Sequence, residues 1–170
     1  TTPDAMPALL DEKNVKMLTK HKVFSVSELK SRYEIMLDNY CKTVNIEAQT
    51  MVDMARKEIV PAVGTYAKDV AETLLALKSA VPEIEAKHEK ESLTKLSSLE
   101  DEISEAADSL ESSVFKLKTL SDVTEEAFMI RDELLSKMAE LRVVCDEAET
   151  FTAEKYWPFP TYDKLLFGVK

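Results

Sequence analysis

Glycine is almost absent from this chain: its 170 residues include two, Gly64 and Gly168. Between Phe24 and Tyr156 only Gly64, Pro61 and Pro82 could readily interrupt a regular backbone. A stretch this poor in turn residues must satisfy its own peptide groups, and the α-helix does so within one continuous segment. With 45% apolar and 32% charged residues, a packed core is within reach. The expected class is all-α.

The helices can be placed from the apolar spacing. Residues 1–24, with Pro3 and Pro7, read as an irregular lead-in holding a short helix from Ala8 to Thr19. Ser25 and Glu28 then stand at capping-box spacing with Phe24 as the hydrophobic staple. Leu29, Tyr33, Met36, Leu37, Tyr40, Val44, Ala48, Met51, Val52, Ala55 and Ile59 follow at three- and four-residue steps, one apolar stripe of a long helix. Ala62, Tyr66, Val70, Leu74 and Leu77 resume the stripe beyond Pro61, which predicts a kink there and not a break.

A second long helix is expected from Glu83 to Lys118, with heptad columns Leu93, Glu100, Ala107, Val114 and Leu96, Ile103, Leu110, Leu117. Charged Glu100 and small Ala107 weaken that seam, which suits packing against more than one neighbour. Residues 83–112 hold ten acidic against three basic side chains. That surplus and the run of serines read as a solvated outer face, with an acidic docking surface as the alternative. A third helix starts at Asp122, with Glu125 at box spacing, and its stripe from Val123 through Ala127, Ile130, Leu134, Met138, Leu141, Cys145 and Ala148 should persist to about Tyr156. Short connections force antiparallel neighbours. The expectation is an elongated up-down bundle over 25–156, made of three long helices, the first kinked at Pro61.

The last fifteen residues depart from this pattern. Five of the twelve aromatics lie there, and Pro158 and Pro160 fix φ, remove two donors and push Trp157 and Phe159 into extended conformations. Residues 157–170 therefore read as a non-helical tail. Tyr156, Trp157, Phe159, Tyr162 and Phe167 are its candidate docking residues, seated either on the chain's own helices or on another surface.

Little else carries chemistry. Two glycines leave no phosphate-cradling loop. His21 and His88 share no metal-ligand spacing with each other or with a cysteine, and no Glu-x-x-His repeat of a di-iron bundle occurs. Cys41 and Cys145 read as buried free thiols. The net charge of −10 argues against nucleic acid and against an anionic membrane. No apolar run approaches the ~20 residues of a membrane span, and the expected location is the cytoplasm. No catalytic, cofactor-binding or metal residue is assigned.

Several segments nevertheless resemble one family. They are Asn14 to Ser25, Leu29 to Ile35, Asn39 to Thr43, and the ending Tyr156-Trp157-Pro158-Phe159-Pro160-Thr161-Tyr162. In this order they resemble the C-terminal region of type III glutamine synthetases. The resemblance implies a parent ligase that joins ammonia to glutamate with ATP and magnesium, its sites lying on a sheet-rich body outside this chain. It also implies a cytoplasmic dodecamer in which this piece meets the catalytic body of its own polypeptide and neighbouring subunits. The start at Thr1, without methionine, fits an excised piece whose lead-in comes from that body. A free-standing helical scaffold that binds a partner protein is the competing expectation.

Overall fold

The computed structural model describes residues 1–168; the side chains of Tyr162 and Asp163, and the last two residues of the expected tail, lie outside that description. Every regular element among the described residues is helical, so the all-α class and the few long helices are borne out. In chain order they are α1 (Thr2–Ala5), a 3₁₀ turn (Met6–Leu10), α2 (Glu12–Lys20), α3 (Val26–Met54), a π-helical turn (Ala55–Ile59) and α4 (Val60–Ala80). Then come α5 (Lys87–Leu117), α6 (Val123–Met129), a second π-helical turn (Ile130–Leu134), α7 (Leu135–Phe151) and α8 (Tyr162–Phe167).

The lead-in is helical where an irregular segment was expected. Pro3 and Pro7 each sit at the start of a helical turn, where the missing N–H has no intrahelical partner to lose. At the head of α3 the capping box forms as the spacing predicts. The Glu28 amide donates to Ser25 Oγ at 3.3 Å, and the Ser25 amide donates back to Glu28 Oε2 at 2.7 Å. Phe24 receives the Arg32 guanidinium over its ring at 4.4 Å. Asp122 caps α6, its carboxylate accepting from the amides of Thr124 and Glu125, both at 2.9 Å.

Helix is unbroken from Val26 to Ala80. The ladder widens over Ala55–Ile59, where the Val60 amide reaches back five residues to the Ala55 carbonyl. This lies just before Pro61, which has no donor for an α-helical bond. The extra residue in the π turn moves the buried face along by one. Beyond it Val63, Ala67 and Val70 are buried, whereas Ala62 and Tyr66, expected in the stripe, are half-buried. α5 starts at Lys87, not Glu83, because residues 82 and 83 form a turn in which the Ile84 amide bonds the Val81 carbonyl.

The chain divides into two compact units. Unit 1 comprises Thr1–Thr50 and Ser109–Ala139. Its core is Leu29, Leu37, Cys41, Val44 and Ala48 of α3, Leu110, Val114 and Leu117 of α5, and Ala127, Ile130 and Leu134. Lys137 bonds Ser109 and Glu133 bonds Ser113, partners that run in opposite directions along the chain, so α5 and the third helical run are antiparallel here. Ser113, expected on an exposed face, is buried, its hydroxyl donating to Glu133 Oε1 at 2.7 Å. That bond and Lys116 hold the Glu133 carboxyl below its ordinary range.

Unit 2 comprises Met51–Asp108 and Glu140–Lys170. Val52, Ala55, Ile59, Val63, Ala67 and Val70 pack with Leu96, Leu99, Ile103 and Ala107 of α5 and with Leu141 and Ala148 of α7. Arg56 pairs with Asp108 at 2.5 Å, and Gly64 faces Glu100, so this pairing too is antiparallel. A Cβ at Gly64 would stand 2.6 Å from Glu100 Oε1, the tip of a flexible side chain that would then have to shift. The half-buried Glu100 carboxyl is raised from its ordinary range mainly by desolvation, with Asp101 adding to the effect.

Because the folded value of Glu100 exceeds the unfolded one, the folded state holds the proton more tightly, and stability falls as pH rises from the ordinary value of 4.5 through the raised one. Glu126 in unit 1 is raised by burial and by Asp38, and contributes with the same sign. Glu100→Gln removes one of these contributions. Thermal melts at steps from pH 4 to pH 7 are expected to show a shallower loss of stability for the variant, and parallel curves would refute the assignment.

Candidate functional site

The C-terminal stretch of unit 2 is the place where aromatic, charged and apolar groups gather outside the helical core. α7 ends at Phe151, earlier than the expected Tyr156, and Ala153 to Trp157 turn by bonds from the Tyr156 amide to the Ala153 carbonyl and from the Trp157 amide to the Glu154 carbonyl. Pro158 bars any helix running through it, since its ring would meet the carbonyl four residues back. Residues 157–161 are non-helical, as the prolines predict. The tail is not irregular to its end, however. Once the second proline is passed, Thr161 adopts an extended conformation (ψ 160°) and opens α8, whose residues include no further proline or glycine.

The five candidate residues separate into distinct settings. Tyr156 is half-buried and folds back on α4: its hydroxyl donates to Asp69 Oδ2, and its ring lies 5.2 Å from that of Tyr66, tilted by 37°. Lys155 Nζ stands 4.4 Å from the Tyr156 ring centroid. Trp157 and Phe159 meet each other edge to face, with centroids 6.1 Å apart. Tyr162 begins α8, and its side chain lies outside the described residues. Phe167 is 80% exposed, beside Leu166 at 71% and Leu165 at 63%. Tyr156 thus seats on the chain's own helix, and the described apolar side chains of α8 are exposed within unit 2.

Sequence reading missed Tyr66, Asp69 and Lys155 as partners of Tyr156. Their pairing depends on contacts between elements some 87 residues apart, which local periodicity does not encode. Phe167 was among the candidates, but its neighbours Leu165 and Leu166 were not, although they are large apolar residues beside it.

Neither ATP nor magnesium fits the residues present. Among the described residues no three histidine, cysteine, aspartate or glutamate side chains converge as a metal requires. Gly64 lies within α4 and Gly168 follows α8, so neither opens a phosphate-cradling loop. Burial pushes both thiols up to about 11, with Glu126 and Asp38 adding at Cys41 and Asp146 at Cys145. Neither is an activated nucleophile. No helix among the described residues is long and apolar enough to cross a membrane.

Comparison with known proteins places this architecture. The family described as glutamine synthetase C-terminal domain matches residues 1–78. A glutamine synthetase of Butyrivibrio fibrisolvens is 33% identical over 168 residues, covering 99% of this chain and 24% of that protein. The type-3 glutamine synthetase of Dictyostelium discoideum is 27% identical over 98% of the chain and 23% of its own length. A glutamine synthetase of Bacteroides fragilis is 25% identical over 97% of the chain and 23% of its own length. These matches bear out the resemblance read in the sequence: the chain is a homologue of glutamine synthetases, type III among them, along nearly its whole length. It spans about a quarter of the length of the curated relatives it matches.

The clasp itself is testable. Tyr156→Phe keeps the ring on Tyr66 and removes the hydroxyl that Asp69 accepts. A charge-assisted bond at a partly exposed site is worth about 1 kcal/mol. The melting temperature should fall by about 2–4 °C for a chain of this size. An unchanged melt would show that the stacked ring alone holds the turn.

Proposed function

We propose that this chain is the helical C-terminal portion of a type III glutamine synthetase, serving the structure or assembly of the enzyme without taking part in its chemistry. The parent joins ammonia to glutamate at the expense of ATP, with magnesium, in the cytoplasm. One observation carries the reading: proteins named glutamine synthetase match this chain from end to end, while the chain accounts for about a quarter of each. The catalytic residues of such an enzyme then belong to the remaining three quarters. This agrees with the poor fit of the residues here to nucleotide or metal.

Assembly is the role the C-terminal stretch suits best. α8 has six residues and presents Leu165, Leu166 and Phe167 to solvent, an apolar end that a catalytic body or a neighbouring subunit of a homo-oligomer, a dodecamer by family resemblance, would cover. Trp157 and Phe159, packed on each other just before it, stiffen the approach. A free-standing scaffold would have no such body to meet.

Two measurements separate these roles. An antibody against this chain should detect, in extracts of its source, a polypeptide several times heavier than the 19.2 kDa of the chain, and a band near 19.2 kDa would favour the scaffold. In the full enzyme, the pair Leu165→Ser and Phe167→Ser alters side chains that already face solvent in unit 2, so the fold of this region should melt as before. The oligomer should dissociate at concentrations where the wild type stays intact, weakened by about 2 kcal/mol per buried anchor. An oligomer of unchanged mass and stability on light scattering would overturn the assembly role.

A further inference from the structure

We propose that a cleft in unit 2 binds a small molecule carrying a primary ammonium group, and that Lys155 is the built-in occupant which that ligand displaces. The inference stands apart from the ligase reading, since it rests on the cleft alone. The cleft lies between α4, the first turns of α5 and the Lys155–Tyr156 turn, and has a volume of about 280 Å³. That is room for a short alkylamine and too little for a nucleotide.

Its walls combine the chemistry an ammonium needs. Tyr66 and Tyr156 supply aromatic faces, Asp69 and Glu89 supply carboxylates, and Thr73 and Ser92 supply hydroxyls. Lys155 already tests the fit. Its Nζ stands 4.4 Å from the Tyr156 ring centroid and 3.9 Å from Asp69 Oδ2, an ammonium over a ring face beside a carboxylate.

The lysine is nonetheless exposed, although the Tyr156 side chain beside it, with Asp69, favours its charged form. Its side chain is 72% exposed, and 3.9 Å is the outer limit of an ion pair, so the contact adds little stability. When it swings out, the cleft keeps two carboxylates and an open aromatic face. The other basic side chain of the lining, His88, is exposed. A free amine can take the vacated corner, its alkyl part lying against Val70 and the rings.

The experiment titrates the full chain with n-butylammonium chloride and follows the tyrosine ring resonances by NMR, with n-butanol as the uncharged control. Saturable shifts of the Tyr66 and Tyr156 rings are expected with the amine and none with the alcohol. Lys155→Ala should tighten binding about two- to fivefold, the worth of an exposed cation–aromatic contact. Lys78→Ala changes the net charge equally at an exposed site outside the cleft and should leave the affinity unchanged. Glu89→Gln should weaken binding severalfold. The proposal is overturned by an absence of saturable shifts in Lys155→Ala, by equal shifts with the alcohol, or by equal tightening in Lys78→Ala, which would mean bulk charge attraction.

Discussion

Each long helical run must keep one narrow apolar stripe turned toward its neighbours over many turns, and the rest of the structure depends on that register. From Leu29 to Leu77 the buried side chains recur at three- and four-residue steps with half-buried ones beside them. The π turn at Ala55–Ile59 takes up one extra residue within that run. The third helical run uses the same device at Ile130–Leu134. In both turns the first and last residues are buried (Ala55 and Ile59, Ile130 and Leu134), and in both an arginine follows the first. Arg56 pairs with Asp108, and Arg131 pairs with Asp4 and with its neighbour Asp132. The widened turns are thus tied both to the core and to a charged partner.

Features fixed by local chemistry are legible in the sequence itself. The Ser25–Glu28 box, the Asp122 cap and the heptad positions Leu96, Ile103, Leu110 and Leu117 all stand where the spacing puts them. What escapes such a reading depends on partners distant in sequence. The π turns leave no mark in composition, because they answer to packing along a whole helix, so the shift from Ala62 and Tyr66 to Val63 and Ala67 could not be read. Leu99 and Ser113 lie between the heptad columns and are buried all the same, since α5 packs on more than one neighbour and needs a wider face than a two-stranded seam. Ser113 read as a surface serine because nothing local shows that Glu133 will meet it.

Electrostatics follow the same division. The exposed pairs along single helices, such as Lys42 with Asp38 and Lys57 with Asp53, are one turn apart and add a few tenths of a kcal/mol each. Other charges reach between elements. Lys95 meets Glu147 between α5 and α7 in unit 2, and Lys116 meets Glu133 between α5 and the second π turn in unit 1. Glu100, like Glu126, is a carboxylate raised by burial, and its tip lies against Gly64. The heptad pattern marks Glu100 as a weak point, and in the structure its carboxylate tip reaches Gly64 on the facing helix.

The C-terminal stretch divides by what its residues touch, and the division bears on function. Tyr156 spends its ring on Tyr66 and its hydroxyl on Asp69, which fixes where the stretch leaves the helices. Trp157 and Phe159 satisfy each other. α8 is short, and its described apolar side chains are exposed. Helices much shorter than about 12 residues are marginal in water without tertiary contacts, and this one has six, with its three largest described apolar side chains mostly exposed. Its described ion pair, Lys164 with Glu154, joins two exposed side chains and supplies little. A helix so short gains lasting stability by burying its apolar end, and within unit 2 that end is left open. The anchor at Tyr156 fixes the base of this stretch, while the described apolar side chains at the end of α8 stay exposed within unit 2, which is the surface the proposed assembly role would use.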